Sequence, residues 1–235
     1  MNAKLIWLPN LFTSLTLVSG FYSITLAMEG ALDAAVHALM VAMVFDFLDG
    51  WVARRTNTVT AFGKEYDSLC DMVAFGLAPA LTVYQLLTWD SLLSWLVPAI
   101  YSCAVAMRLA RFNTKEGGSV SFEGLPCTVG GPFVVLACYF MDTYSSVSGV
   151  LLALIAMGVA LLMNSKIPYR SLKQNHRYFR GVIKLILPIV LSVSMLASPL
   201  NTLAIVLLLY ILSPVLGIRR FVQQRRALAQ TTNSG

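Results

Sequence analysis

The chain has 235 residues, of which 57% are hydrophobic and only 12% charged. Soluble globular domains carry about 25% charged residues, so this composition excludes an ordinary water-soluble enzyme and calls for a bilayer as solvent. The formal net charge is +6; it fits an anionic lipid surface, and no nucleic-acid partner is expected.

Apolar stretches recur at 11–28, 31–49, 72–89, 92–110, 129–146, 149–163, 181–197 and 200–217. Most approach the roughly 20 residues that cross a bilayer as a helix; 149–163 is short. The expected fold is all-α, a polytopic membrane bundle of about eight transmembrane helices. One domain over 1–222 is expected, followed by a polar cytoplasmic tail over 223–235. The first span does not read as a cleavable signal peptide, because only Lys4 precedes it and no small-x-small site follows.

The charges fix an orientation for these spans. Lys4 precedes the first. Arg54, Arg55 and Lys64 lie between the second and third, and Arg108, Arg111 and Lys115 at the end of the fourth. Six more run from Lys166 to Lys184, and Arg219, Arg220, Arg225 and Arg226 follow the last span. With eight spans all 17 basic residues fall on one side, and the positive-inside rule makes that side cytoplasmic, with both termini. Cys70, Cys103, Cys127 and Cys138 show no metal-ligand spacing and are expected to be structural. His37 and His176 read as packed or interfacial residues.

The chemistry concentrates between the second and third spans. Asp46 and Asp49 are three apart, and Asp67 and Asp71 four apart, so each pair shares a helix face. A short connection brings the pairs together into one carboxylate cluster. A charged side chain inside a bilayer costs roughly 2.5–3.5 kcal/mol on insertion scales, and four like charges also repel. Oxygen-rich sites of this kind suit hard divalent cations such as Mg²⁺ or Mn²⁺. Two such ions can clamp the attacking and leaving oxygens of a phosphoryl transfer. Gly50 admits a bulky ligand to the backbone, Gly63 opens the second acidic helix, and Arg54 lies two turns beyond Asp46, where it can hold a diphosphate. The competing readings are solvated interfacial acids and a cation path. An ion path would spread acids through the membrane depth, yet beyond residue 129 the apolar helices carry only Asp142.

The pattern D-x2-D-G-x2-A-R-x8-G-x3-D-x3-D, formed by Asp46, Asp49, Gly50, Ala53, Arg54, Gly63, Asp67 and Asp71, resembles the signature of the CDP-alcohol phosphotransferases. That resemblance implies a six-helix core and two divalent metals per active site. Asp46, Asp49 and Asp67 would hold one, and Asp46, Asp67 and Asp71 the other. It implies Asp71 as general base, with Gly50 and Arg54 against the CDP moiety. More weakly, Asn10 and Thr13 of the first helix, Thr60 and Gly63 also fall at nucleotide-contacting places. The segments 67–80, 108–113, 122–126 and 167–173 look like the phosphatidylserine synthases of that family; Cys127-Thr128 departs from the expected proline. The implied substrates are CDP-diacylglycerol and L-serine, within membrane lipids and in a homodimer. Acceptors with glycerol phosphate, inositol phosphate or choline are the alternative. Arg108, Arg111, Asn113, Glu123, Tyr169 and Arg170 are the candidate serine-binding residues. They offer both charge signs, although Arg108 and Arg111 could equally snorkel to headgroups.

Overall fold

The computed structural model describes residues 3–87, 92–114, 122–144, 149–165, 167–169 and 200–212. Helix α1 is Ala3–Met28, α2 Leu32–Arg55 and α3 Ala61–Asp71. A π-helical turn, Met72–Leu77, joins α3 to α4, Ala78–Leu86, without a break. Helices α5, Leu93–Thr114, α6, Cys127–Tyr144, and α7, Gly149–Asn164, complete the first of two compact units. The second unit contains a β-pair and helix α8, Leu200–Leu212. In that pair β1, Phe122–Glu123, runs antiparallel to β2, Pro168–Tyr169, with Glu123 opposite Pro168. This two-residue pairing was not expected from the sequence; it is too short to leave a period-2 pattern.

The described chain is thus helical apart from that pair. Among the described residues, three helices are long and apolar enough to cross a membrane: Trp7–Met28, Leu32–Arg55 and Ala61–Leu86. Gly149–Asn164 and Leu200–Leu212 are shorter apolar helices. Helices α5 and α6 also occupy the described parts of the expected spans at 92–110 and 129–146, whereas 181–197 and the tail at 223–235 lie outside the described residues. The third span begins at Ala61 rather than 72. Lys64, Glu65, Asp67 and Asp71 depress the local hydropathy of its first turns, so an apolar run read from the sequence starts too late.

Local chemistry fits a low-dielectric setting. Within α1 the hydroxyls of Ser14 and Thr16 donate to carbonyls one turn back, at Asn10 (2.8 Å) and Phe12 (3.2 Å). That is the cheapest way to satisfy a hydroxyl on an apolar helix. Trp7, Phe21, Leu154 and Leu161 are 79%, 61%, 64% and 71% exposed, a surface suited to hydrocarbon rather than water. Helix α2 ends with Arg54 and Arg55 in its last turn, where cations complement the helix dipole. The chain then reverses through Asn57, in the left-handed region at φ 53°. Thr60 caps α3 by accepting from the Gly63 N–H at 2.9 Å.

Two glycines grip the π turn. A Cβ on Gly20 of α1 would lie 2.5 Å from the Ala74 Cα, and one on Gly131 of α6 would lie 2.8 Å from the Phe75 carbonyl oxygen. Only glycine permits these approaches, the small-residue packing expected between membrane helices. The Tyr101 hydroxyl of α5, fully buried, donates to that same Phe75 oxygen at 3.3 Å. Gly20→Ala should therefore destabilise the bundle by about 1–3 kcal/mol through overpacking. Gly158→Ala, where a Cβ meets nothing within 4 Å, should be neutral or slightly stabilising. Melting temperatures of the two variants in one detergent would check this; equal melting would show that the α1 contact is loose.

Candidate metal centre and active site

Helix α1 packs against both α2 and α3, whereas α2 and α3 scarcely approach backbone to backbone. The gap between them is bridged by side chains. One carboxylate oxygen each from Asp46, Asp49 and Asp67 lie within 4.8 Å of one another. Asp46 is within hydrogen-bonding reach of Asp71, as is Asp49 of Asp67. All four signature aspartates thus meet in one place. Asp49 and Asp71 are buried, and Asp46 and Asp67 half-buried.

Helix α1 supplies the polar wall. The single O–H of Thr13 is directed at Asp49 Oδ2 (2.8 Å) or at the Pro9 carbonyl (3.0 Å). Asn10 lies beside the α3 cap: a Cβ on Gly63 would stand 3.1 Å from Thr60 Oγ1 and 3.5 Å from Asn10 Oδ1. Ser14 and Tyr66 pair through their hydroxyls at 2.9 Å. On α2 the exposed Arg54 folds back over Gly50, where a Cβ would approach Nη1 to 3.0 Å. Its guanidinium thereby sits in the field of Asp49.

The donor set is all oxygen, and one of its atoms lacks a partner: Asp71 Oδ1 is buried with no hydrogen bond. A buried acceptor in that state is costly unless something neutralises it. The residues present therefore fit a hard divalent cation.

The candidate acceptor residues fall in different places. Arg108 and Arg111 of α5 direct Nη1 to the last carbonyls of α7, at Met163 (3.4 Å) and Asn164 (3.3 Å). Asn113 is bound to α3: its side-chain Nδ2 donates to Glu65 Oε2 at 2.8 Å and Ser68 Oγ at 2.9 Å, and its backbone carbonyl accepts from Lys64 Nζ at 3.0 Å. Glu123 and Tyr169 form opposite strands of the β-pair in the second unit, and Arg170 lies outside the described residues. Sequence reasoning passed over Cys127, whose thiol stands 3.8 Å from Asp71 Oδ2. It also passed over Lys64 and Ser68, whose four-residue spacing along α3 was the available signal for the Asn113 contact.

A family model described as CDP-alcohol phosphatidyltransferase matches residues 6–164, which contain the whole aspartate cluster. The chain belongs to that family. It is similar to the archaetidylserine synthase of Methanothermobacter thermautotrophicus, at 40% identity over 165 residues and 69% of each chain. It is 32% identical over 223 residues to a CDP-diacylglycerol–serine O-phosphatidyltransferase of Helicobacter pylori, covering 91% of this chain and 90% of the relative. The enzyme of the same description from Bacillus subtilis is 29% identical over 170 residues, 72% of this chain and 93% of the relative.

Ligand-orienting partners of metal carboxylates typically contribute 10–100-fold in affinity. Thr13→Val removes the hydroxyl beside Asp49 at nearly constant volume. It should weaken Mn²⁺ binding about tenfold, read by electron paramagnetic resonance titration of the detergent-solubilised protein, whereas Thr13→Ser should restore it. Wild-type affinity in Thr13→Val would show that the hydroxyl serves only the Pro9 carbonyl.

Proposed function

We propose that the protein transfers the phosphatidyl group of CDP-diacylglycerol to the hydroxyl of L-serine, giving phosphatidylserine and CMP. One observation carries the reading: the complete four-aspartate signature converges in one place, in a chain whose relatives are named for serine as acceptor. The names archaetidylserine synthase and CDP-diacylglycerol–serine O-phosphatidyltransferase differ in the lipid and agree on serine. That agreement favours serine over glycerol phosphate, inositol phosphate or choline.

In this reading Asp46, Asp49 and Asp67 hold one Mg²⁺ or Mn²⁺, and Asp46, Asp67 and Asp71 a second. When bound, the metals neutralise the diphosphate and the charge that develops on departing CMP. Arg54 engages the diphosphate, for which Gly50 leaves room, and Asn10, Thr13, Thr60 and Gly63 form the nucleotide side. Asp71 accepts the serine hydroxyl proton. The serine oxygen then bonds to the phosphorus next to diacylglycerol, and the bond from that phosphorus to the CMP oxygen breaks. Arg108 and Arg111 hold the serine carboxylate; Asn113, Glu123, Tyr169 and Arg170 are the further acceptor-binding candidates read from the sequence. The bundle is read as eight spans in the cytoplasmic membrane, over one catalytic domain of residues 1–222. Both termini and the site face the cytoplasm, the acyl chains stay among membrane lipids, and the chain acts as a homodimer.

Release of CMP from CDP-diacylglycerol with a panel of alcohols tests the substrate. L-serine should support it, and glycerol 3-phosphate and inositol phosphate should support little or none. A chelator should abolish release, and Mg²⁺ or Mn²⁺ restore it. Turnover of glycerol 3-phosphate with serine inert would overturn the acceptor and leave the family intact.

Asp71→Asn keeps size and one carbonyl oxygen but cannot take the proton. It should lower turnover at least about 10²-fold, the range of lost general-base catalysis, with CDP-diacylglycerol still bound. Asp46→Asn should weaken metal and liponucleotide binding together. Near-normal turnover in Asp71→Asn would assign the base elsewhere.

A further inference from the structure

Asp71 is 7% exposed, and its two oxygens differ. Oδ1 has no hydrogen-bond partner, while Oδ2 receives the Cys127 thiol at 3.8 Å, and Asp46 also lies within hydrogen-bonding reach of this carboxylate. Cys127 opens α6 directly after Pro126, and the Val129 and Gly130 N–H groups close the first turn on the Pro126 carbonyl. The thiol is buried and fixed at that turn. Its other neighbour is Arg108 of α5, which reaches the sulfur as a donor. The sulfur therefore stands between a cation and a carboxylate, accepting from one and donating to the other.

The backbone holds this arrangement in register. One turn beyond Cys127 along α6 is Gly131, and one turn beyond Asp71 is Phe75. Those two residues are the pair whose close approach tolerates no Cβ. The same helix–helix contact that excludes a side chain at 131 thus sets the distance between the Cys127 sulfur and the Asp71 carboxylate.

The geometry points to Cys127 as a positioning residue for Asp71: its thiol pins Oδ2 and leaves Oδ1 as the oxygen that faces the acceptor hydroxyl. The inference rests on Asp71 being the base proposed above. It gives a physical role to the position where the sequence leaves the family's expected pattern after Gly124-Leu125-Pro126. The role needs a group that both donates and accepts, of roughly the volume of a thiol. Serine meets that requirement; alanine and valine do not.

The test compares Cys127→Ala, Cys127→Ser and Cys127→Val in the full-length protein in detergent with CDP-diacylglycerol. Melting temperature, the KM for each substrate and kcat are measured. A hydrogen bond to a charged group contributes about 1.5 kcal/mol at the low end of its range, equivalent to roughly tenfold in rate. Cys127→Ala and Cys127→Val should lose about tenfold in kcat with the KM for CDP-diacylglycerol unchanged. Cys127→Ser should recover to within about twofold of wild type on the same basis. A merely packing role would instead rank the variants by melting temperature, with Cys127→Val nearest wild type. Wild-type kcat in Cys127→Ala, or equal loss in Cys127→Ser and Cys127→Ala at equal melting temperature, would overturn the inference. Absence of serine-dependent CMP release from the wild-type protein would strike the functional reading itself.

Discussion

The structure is organised around the mutual repulsion of carboxylates held away from water. Unit charges 4–5 Å apart repel by about 3–4 kcal/mol at an effective dielectric of 20, and Asp46, Asp49 and Asp67 present three such pairs. Asp71 adds a fourth member, buried like Asp49. Such a cluster is tolerable only if rigid elements hold it and a cation offsets it. Helix α1 supplies the first requirement by lying against both acid-bearing helices. It is also the source of Thr13 and Asn10, so the wedge that separates α2 from α3 furnishes polar groups at the cleft it creates.

Elsewhere the bundle spends few polar groups. The hydroxyls of Ser14, Thr16, Thr82 and Ser102 turn back to carbonyls of their own helices. Exceptions mark the places where one helix must be registered on another. Ser23 reaches the Ala35 carbonyl across α1 and α2, Tyr101 reaches Phe75, and Asn113 ties α5 to α3. The last of these bears on function. Asn113 engages Lys64 and Ser68, which stand three positions before Asp67 and Asp71 respectively on neighbouring turns of α3, so the end of α5 helps hold the acidic helix.

The acidic site was legible because its chemistry demands fixed residue types at fixed spacing. Asp46, Asp49, Asp67 and Asp71 could be placed on two helices from their intervals alone, and α2, which carries the first pair, lies where the apolar run predicts. Thr13 entered through the family resemblance rather than through spacing, and the structure sets its hydroxyl beside Asp49. What stayed hidden depends on relations between distant segments. Nothing in the interval between Asp71 and Cys127 announces that α6 begins against the end of α3. The contacts of Asn113 with Lys64, Glu65 and Ser68 were hidden too, because a polar amide at a helix end does not announce its partners. The β-pair escaped notice since two residues carry no period. The start of the third long helix was misplaced because its function requires charge where its topology requires apolarity.

The π turn after Asp71 has a consequence for how the acid helix can change over time. A π turn amounts to one extra residue in an α-helix, and each residue rotates the helix by about 100°. The segment upstream of Met72 shows its carboxylates to the cleft, while Ala74, Phe75 and Gly76 downstream face the core between α1, α5 and α6. The extra residue lets the two halves of one rod keep independent phases. Losing it by a single-codon deletion would leave a helix of ordinary hydrogen bonding but turn one half against the other. The catalytic face and the packing face of this helix are thus geared together by a single residue.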